Sequence, residues 1–209
     1  LAPYLVFRGE YLTLDRGRVA VRALRTPTFE IDVATSGSLG ASASEVKVRE
    51  GMPDIGDLIE IGPRLTWNLG ESADPQRWRL QLPLRGVFDL GDRLAGRGVT
   101  FEPELEFKHR AGFGWTWSAG LGAIVGSQRF NDLYYQVDPA FATATRPAYD
   151  ARAGLVAWRL SSSLSHWLTP DWRVFVSARL DSVAGAANRA SPLVRRSSGA
   201  RWSGMSSPS

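Results

Sequence analysis

Residues Arg77 to Gly86 read RWRLQLPLRG, and residues Val99 to Lys108 read VTFEPELEFK. On the first segment Trp78, Leu80, Leu82 and Leu84 share one side, with Arg77, Arg79, Gln81 and Arg85 on the other. On the second, Val99, Phe101, Pro103, Leu105 and Phe107 oppose Thr100, Glu102, Glu104, Glu106 and Lys108. Successive side chains of an extended chain point to opposite faces, so this period of two predicts strands with one apolar and one charged face. A fold built from such strands has to choose which face it hides.

The pattern recurs along most of the chain. Val19, Val21 and Ala23 alternate with polar or small residues, and Phe29, Ile31 and Val33 alternate with Glu30 and Asp32. Ile59, Ile61, Leu65 and Trp67 lie opposite Glu60, Arg64, Thr66 and Asn68. Val156, Trp158 and Leu160 mark a strand within 150–165, and Trp172, Val174, Val176, Ala178 and Leu180 mark another, with Phe175 as its exception. Pro3 to Leu14 holds one long strand or two short ones around Gly9. Ala111 to Gln128 runs for eighteen residues without a charge, near the lower limit for a membrane-crossing helix. Its glycines at 112, 114, 120, 122 and 126 weaken a helix interior, and Phe113, Trp115 and Trp117 repeat every second residue, so it reads as a strand. No helical pattern interrupts the series. The prediction is an all-β antiparallel meander forming one unit over residues 1–198. Its long connections (37–57, 126–149, 182–198) alternate with short ones (70–76, 109–112, 166–171), and 89–97 is intermediate. Long loops at one end and short turns at the other are the plan of a transmembrane up-and-down β-barrel of the bacterial outer membrane.

A soluble barrel would show the same alternation with its apolar face inward. Three features favour charge inside. Trp67, Trp78, Trp115, Trp167 and Trp172 all lie beside short turns, where a meander collects them into a ring suited to the headgroup boundary. Phe88, Phe101, Phe130, Tyr134, Tyr135 and Tyr149 are expected to form a second ring at the long-loop end. The polar side of 112–124 is largely glycine, which packs nothing on a water-facing strand but leaves room for long side chains across a lumen. Finally, Arg77, Arg79 and Arg85 run antiparallel to Glu102, Glu104 and Glu106, an arrangement that stabilises by a few tenths to about 1 kcal/mol per pair. A mid-plane Arg facing lipid would cost about 2–4 kcal/mol. These six residues are the expected lumen charges.

The remaining chemistry is sparse. With 25 basic and 21 acidic residues, and no run of five like charges, a nucleic-acid partner is not expected. The absence of cysteine excludes disulfides and thiolate metal sites. His109 and His166 are expected in short turns, and Ser165 beside His166 points to the opposite face, so no nucleophile–base pair is expected. Glu102, Glu104 and Glu106 sit about 6.5–7 Å apart on a strand, where ion pairing with the arginines outweighs catalysis or metal binding. Asp54, Asp57 and Glu60 read as part of an ordinary solvated loop. No phosphate loop, metal or cofactor is expected. The loop 126–149, with Phe130, Tyr134, Tyr135, Phe141 and Tyr149, is too aromatic for a passive tip and is expected to fold back into the lumen.

REGMPDIGDLIEIGPRLTWNL (Arg49 to Leu69), DLYYQVDPAFATATRPAYDARAGL (Asp132 to Leu155) and ASPLV (Ala190 to Val194) resemble the MipA/OmpV family of bacterial outer-membrane proteins, over roughly residues 3–195. The resemblance implies an outer-membrane β-barrel in contact with lipid, without catalytic residues. For the founding branch it implies a scaffold or adaptor that brings murein hydrolase and synthase proteins together. It also implies a signal peptide and a strand ahead of Pro3–Arg8, so that about eleven visible segments and one lost would make twelve. The Ser/Gly-rich tail 199–209 is expected to stand in place of the final strand. The alternative function is a narrow channel for small solutes with an Arg/Glu-lined lumen.

Overall fold

The structure is a computed structural model and describes residues 7–8, 12–15, 18–38, 47–71, 74–169, 172–194 and 198–208. The alternating segments form one antiparallel sheet. Its strands are β1 (Phe7–Arg8), β2 (Leu12–Asp15), β3 (Arg18–Arg25), β4 (Phe29–Ser38), β5 (Leu58–Leu69) and β6 (Gln76–Asp89). They continue as β7 (Ala95–Phe101), β8 (Glu104–Arg110), β9 (Trp115–Gly126), β10 (Gly154–Trp167), β11 (Trp172–Ser182) and β12 (Ser198–Pro208). Each strand pairs with its chain neighbours, except that β7 and β8 both lie between β6 and β9. They are two halves of one ladder position, so the twelve segments fill eleven positions.

Proline explains the break. The sequence reading carries one strand through VTFEPELEFK; the structure divides it at Glu102–Pro103. Pro103 has no N–H to donate and cannot continue the ladder. Its carbonyl still accepts from Ala123 N at 3.0 Å, while Glu102 N reaches Pro83 O at 3.2 Å. Pro83 is opposite Arg64, beside Pro63 of β5. Three prolines thus lie at similar height on successive strands. The alternation of faces survives the break, because Thr100, Glu104 and Glu106 keep their side.

The choice between faces is resolved by exposure. Leu84, Val99, Phe101, Leu105, Leu121, Trp158, Leu160 and Val176 are exposed, Leu121 by 56%. On the opposite side Asp32, Thr66, Arg85, Asp89 and Thr100 are buried, Arg85 at 4%. Among the described residues, a single sheet and one eight-residue α-helix supply no second layer to cover the charged side. That side is buried because the sheet curls around it. Among the described residues no helix is long and apolar enough to cross a membrane.

Of the two readings of Pro3–Leu14, the structure shows the two short strands, β1 and β2, the second ending at Asp15, with residues 1–6 and 9–11 outside the described residues. Other expectations change. The tail at 199–209 does not replace a strand, since Ser198–Pro208 pairs with β11 from Ser182↔Ser198 to Trp172↔Pro208. A ladder joins backbones, and the strand needs no apolar alternation of its own once β11 offers an edge. A helix, α1 (Gln128–Tyr135), begins the long loop where the sequence showed no helical pattern. Eight residues are too few for a helical period to emerge, and tertiary packing carries short helices of this kind.

α1 is held at the long-loop end of the curl. Phe130 is buried against Ile55, Leu58 and Val87, flanked by Leu133, Tyr134 and Val156. Phe130 therefore faces inward and does not join an outer aromatic ring at that end. Gly126 and Gly98 make room for it: a Cβ would stand 2.6 Å from Phe130 Cδ1 at the first and 2.6 Å from Phe130 N at the second. The inward fold expected of the 126–149 loop is present at the mouth. Phe130→Ala should cost about 3 kcal/mol of local packing, and limited proteolysis should cut residues 136–150 faster while strand content by circular dichroism is kept.

Candidate functional site

The buried charges form one connected chain across the inner face. Arg85 Nη1 on β6 lies 3.5 Å from Glu60 Oε2 on β5 and 3.2 Å from Glu102 Oε1 at the β7–β8 break. Glu102 Oε2 lies 3.3 Å from Arg159 Nη1 on β10, and Arg159 Nε donates to Asp181 Oδ1 on β11 at 2.9 Å. Three carboxylates and two guanidinium groups alternate over six ladder positions. A separate pair closes the neighbouring side, with Arg64 donating to both oxygens of Asp32 from β5 to β4. At the long-loop end Arg97 lies 2.8 Å from Asp89 and 3.1 Å from Asp92.

Glycine makes the reach from Glu102 to Arg159 possible, because β9 lies between them. In the ladder Glu104, Gly122 and Arg159 stand side by side, followed by Asp181, and Glu106, Gly120 and Ser161 form the next row. Glu104 Oε1 crosses Gly120 to accept from Ser161 Oγ at 3.1 Å. A Cβ on Gly120 would collide with that carboxylate oxygen and stand 2.6 Å from Ser161 Oγ. The glycine row is a trough spanned by longer side chains.

Of the six expected lumen charges, Arg85 and Glu102 enter the chain directly. Arg79 and Glu106 are cross-strand partners with their charges 3.7 Å apart, and Arg79 is 44% exposed. Glu104 bonds to Ser161 and has no arginine opposite, its cross-strand neighbour being Gln81. Arg77 faces Lys108, a like charge. All six point to the inner face. Glu60, Asp32, Arg64, Arg159 and Asp181 complete the arrangement and were not among the six expected lumen charges; Glu60, read from the sequence as part of a solvated loop, lies in β5 because the ladder with β6 reaches back to Leu58. Their parity marked them as polar, but the partner of each depends on which strand lacks side chains between them.

Trp67, Trp78, Trp115, Trp167 and Trp172 all stand at the short-turn end and are 40–47% exposed. Four of them share the apolar face. Trp167 has the parity of the charged face, with Arg173 Cζ 5.5 Å from its ring centroid. On the outside Trp78 meets Phe107 at 4.8 Å between centroids, and Phe107 meets Trp117 at 5.8 Å. His109 and His166 lie inside β8 and β10 and not in turns, because both ladders extend to the end of the sheet. His166 stacks on Trp115 at 4.4 Å. Ser165 points inward and accepts from Arg173 at 2.6 Å, on the opposite face from its neighbour. Among the described residues no three His, Asp or Glu side chains are grouped to hold a metal ion.

A protein-family model described as MltA-interacting protein MipA matches residues 1–206. The chain belongs to the MipA family. No curated protein sequence matches it.

Three segments that carry the sequence resemblance of this MipA-family chain meet at the long-loop end. Arg49 donates to Leu133 O at 3.3 Å and to Pro53 O at 3.2 Å. Arg146 donates to Val48 O at 3.0 Å, to Glu50 O at 2.9 Å and to Phe141 O at 2.7 Å. Ser191 Oγ donates to Tyr135 O at 2.8 Å. Asn188 is buried, with Arg152 N donating to its side-chain oxygen at 2.8 Å. Burial, then the neighbouring Arg146 charge, pushes the Arg49 guanidinium below its usual value. Burial raises the Tyr135 phenol. The loops of β4–β5, β9–β10 and β11–β12 are thereby clasped into a cap.

Arg85→Ala leaves Glu60 and Glu102 facing each other without their shared cation. The cost should be about 3 kcal/mol, at the low end for a broken buried pair because both carboxylates keep some solvent contact. Arg79→Ala, at an exposed pair, should cost under about 1 kcal/mol. Urea unfolding in detergent, followed by tryptophan fluorescence, measures both.

Proposed function

We propose that this chain is an outer-membrane barrel that anchors a scaffold for murein-remodelling proteins, without catalysing a reaction itself. The observation that carries the membrane part is the inverted arrangement of faces. Burying the charge and exposing Leu, Val, Phe and Trp is the reverse of what water demands, and contiguous apolar surface of this extent calls for lipid or a partner. Its height is also right. Trp115 to Val125 on β9 spans about 34 Å of strand at ~3.4 Å per residue. At the ~40° tilt usual for membrane barrels, this projects to about 26 Å, against an apolar band of about 25 Å. The exposed tryptophans at the short-turn end would then rest at the periplasmic headgroup level.

The scaffold part rests on the family, whose description is an MltA-interacting protein. A murein hydrolase of that kind is the expected partner, and the short turns are the surface that would face it. The ion chain and the α1 cap occupy the interior and its mouth, which favours anchoring over solute passage. Ser165 and His166 on opposite faces supply no nucleophile and base, which favours a non-enzymatic role.

Leu121→Arg decides the orientation. Facing lipid, the arginine should cost about 2–4 kcal/mol and remove the heat-modifiable band from the outer-membrane fraction. With the apolar face against water the same substitution would leave the fold intact and raise solubility. For the scaffold, purified chain in detergent should retain MltA on a column. Failure to do so, together with steady salt-dependent conductance in planar bilayers, would replace the scaffold with the channel.

A further inference from the structure

The connection between β8 and β9 holds an exposed side chain on a strained backbone. Residues 111–114 join Arg110 to Trp115 in a tight turn, with Trp115 N donating to Gly112 O at 3.5 Å. The two central residues, Phe113 and Gly114, have φ of +59° and +78°. Positive φ at both centres is the pattern of a type I′ hairpin turn, which favours Asn-Gly or Gly-Gly. Gly114 is at ease there, but a bulky Phe is a steric outlier. No local packing offsets the strain, since Phe113 is 98% exposed. A strained residue kept on display points to a task outside its own fold.

A second apolar tip stands beside it. Trp167 N donates to Gly114 O at 3.3 Å, which ties the β10–β11 turn to the β8–β9 turn. Leu168, in that neighbouring turn, is 59% exposed. Phe113 lies two residues beyond Trp115, where β9 and its apolar band begin. On the membrane reading given above, lipid tails do not reach it. A phenyl ring also has no N–H or O–H to offer the headgroups, unlike the indoles of the same end. An apolar protein pocket suits it best, because large aromatic side chains in desolvated pockets are the usual anchors of protein interfaces.

We propose that Phe113, flanked by Leu168, is the anchor by which the short-turn end enters an apolar pocket of the murein hydrolase partner. This anchor rests on the scaffold reading and gives it a contact point. The family description, an MltA-interacting protein, supplies the partner. A tight hairpin tip already holds the ring outward, so little freedom is lost when it docks.

The test is binding of MltA to the full chain in detergent, with Phe113→Asn as the main variant. Asn tolerates the left-handed region and lacks the ring, so it relieves the turn while removing the anchor. The thermal midpoint should be held or raised by about 2–4 °C, and the heat-modifiable band should be kept. Affinity for MltA should fall about tenfold or more. Phe113→Tyr keeps the ring and should bind nearly as the unaltered chain does. Leu94→Asn is the matched control. Leu94 has φ of +61° and is 57% exposed in the turn between β6 and β7, at the opposite end. The control should gain the same relief and leave MltA binding unchanged. An unaltered chain that does not bind MltA overturns the scaffold reading and the anchor with it. Binding that survives Phe113→Asn at full strength overturns the anchor alone. Loss of the heat-modifiable band in Phe113→Asn would make the ring a membrane contact and would overturn the anchor as well.

Discussion

Glu102 accepts Arg85 on one side and Arg159 on the other, and much of the remaining arrangement follows from that position. A carboxylate at 18% side-chain exposure is costly to bury unless cations lie close by. The cations come from β6 and β10, which do not pair with each other, so the sheet must curve enough to bring them to one oxygen pair. Curvature in turn hides the charged side and presents the apolar one. The glycines of β9 belong to the same solution, since a side chain at Gly120 or Gly122 would stand between the carboxylates and their partners. The break at Pro103 belongs to it too, releasing the backbone at the residue next to Glu102.

The alternation in RWRLQLPLRG and VTFEPELEFK was enough to separate the two faces, and the arginine and glutamate rows pointed to the inner one. It could not show who pairs with whom. Glu104 reaches Ser161 over a glycine, and Arg77 meets Lys108 in place of a glutamate. Both outcomes depend on ladder register, which sequence periodicity leaves open by steps of two. α1 escaped for a different reason. Its anchoring residue, Phe130, is fixed by the shape of a mouth built from β5, β6 and β10, and nothing local in QRFNDLYY announces that mouth. The histidines were misplaced by a few residues because strand ends extend as far as partners allow. The tail was misread because backbone pairing needs no side-chain pattern.

The two ends of the sheet have different characters. At the long-loop end, arginines 49 and 146 donate to backbone carbonyls, and the resulting clasp joins the three segments that carry the family resemblance. The segment 132–155 is the common member: Arg49 reaches Leu133, Arg146 reaches Glu50, and Ser191 reaches Tyr135. At the short-turn end there are exposed indoles outside and Arg77, Arg79, Lys108 and Arg110 on the charged side. The first end is closed on itself, and the second is available for recognition.

The clasp also bears on how the chain assembles. Apart from the position shared by β7 and β8, the ladders among the described residues join segments that follow one another in sequence, so pairing can advance locally from hairpin to hairpin at little loop-closure cost. The hydrogen bond from Arg146 to Val48 spans 98 residues, and that from Arg49 to Leu133 spans 84. Such contacts reward the chain only after the intervening strands are in register. The cap is thus a late event that records completion: an intermediate stalled before β10 has formed would still show its strands, but its β4–β5 loop would have nothing to grip.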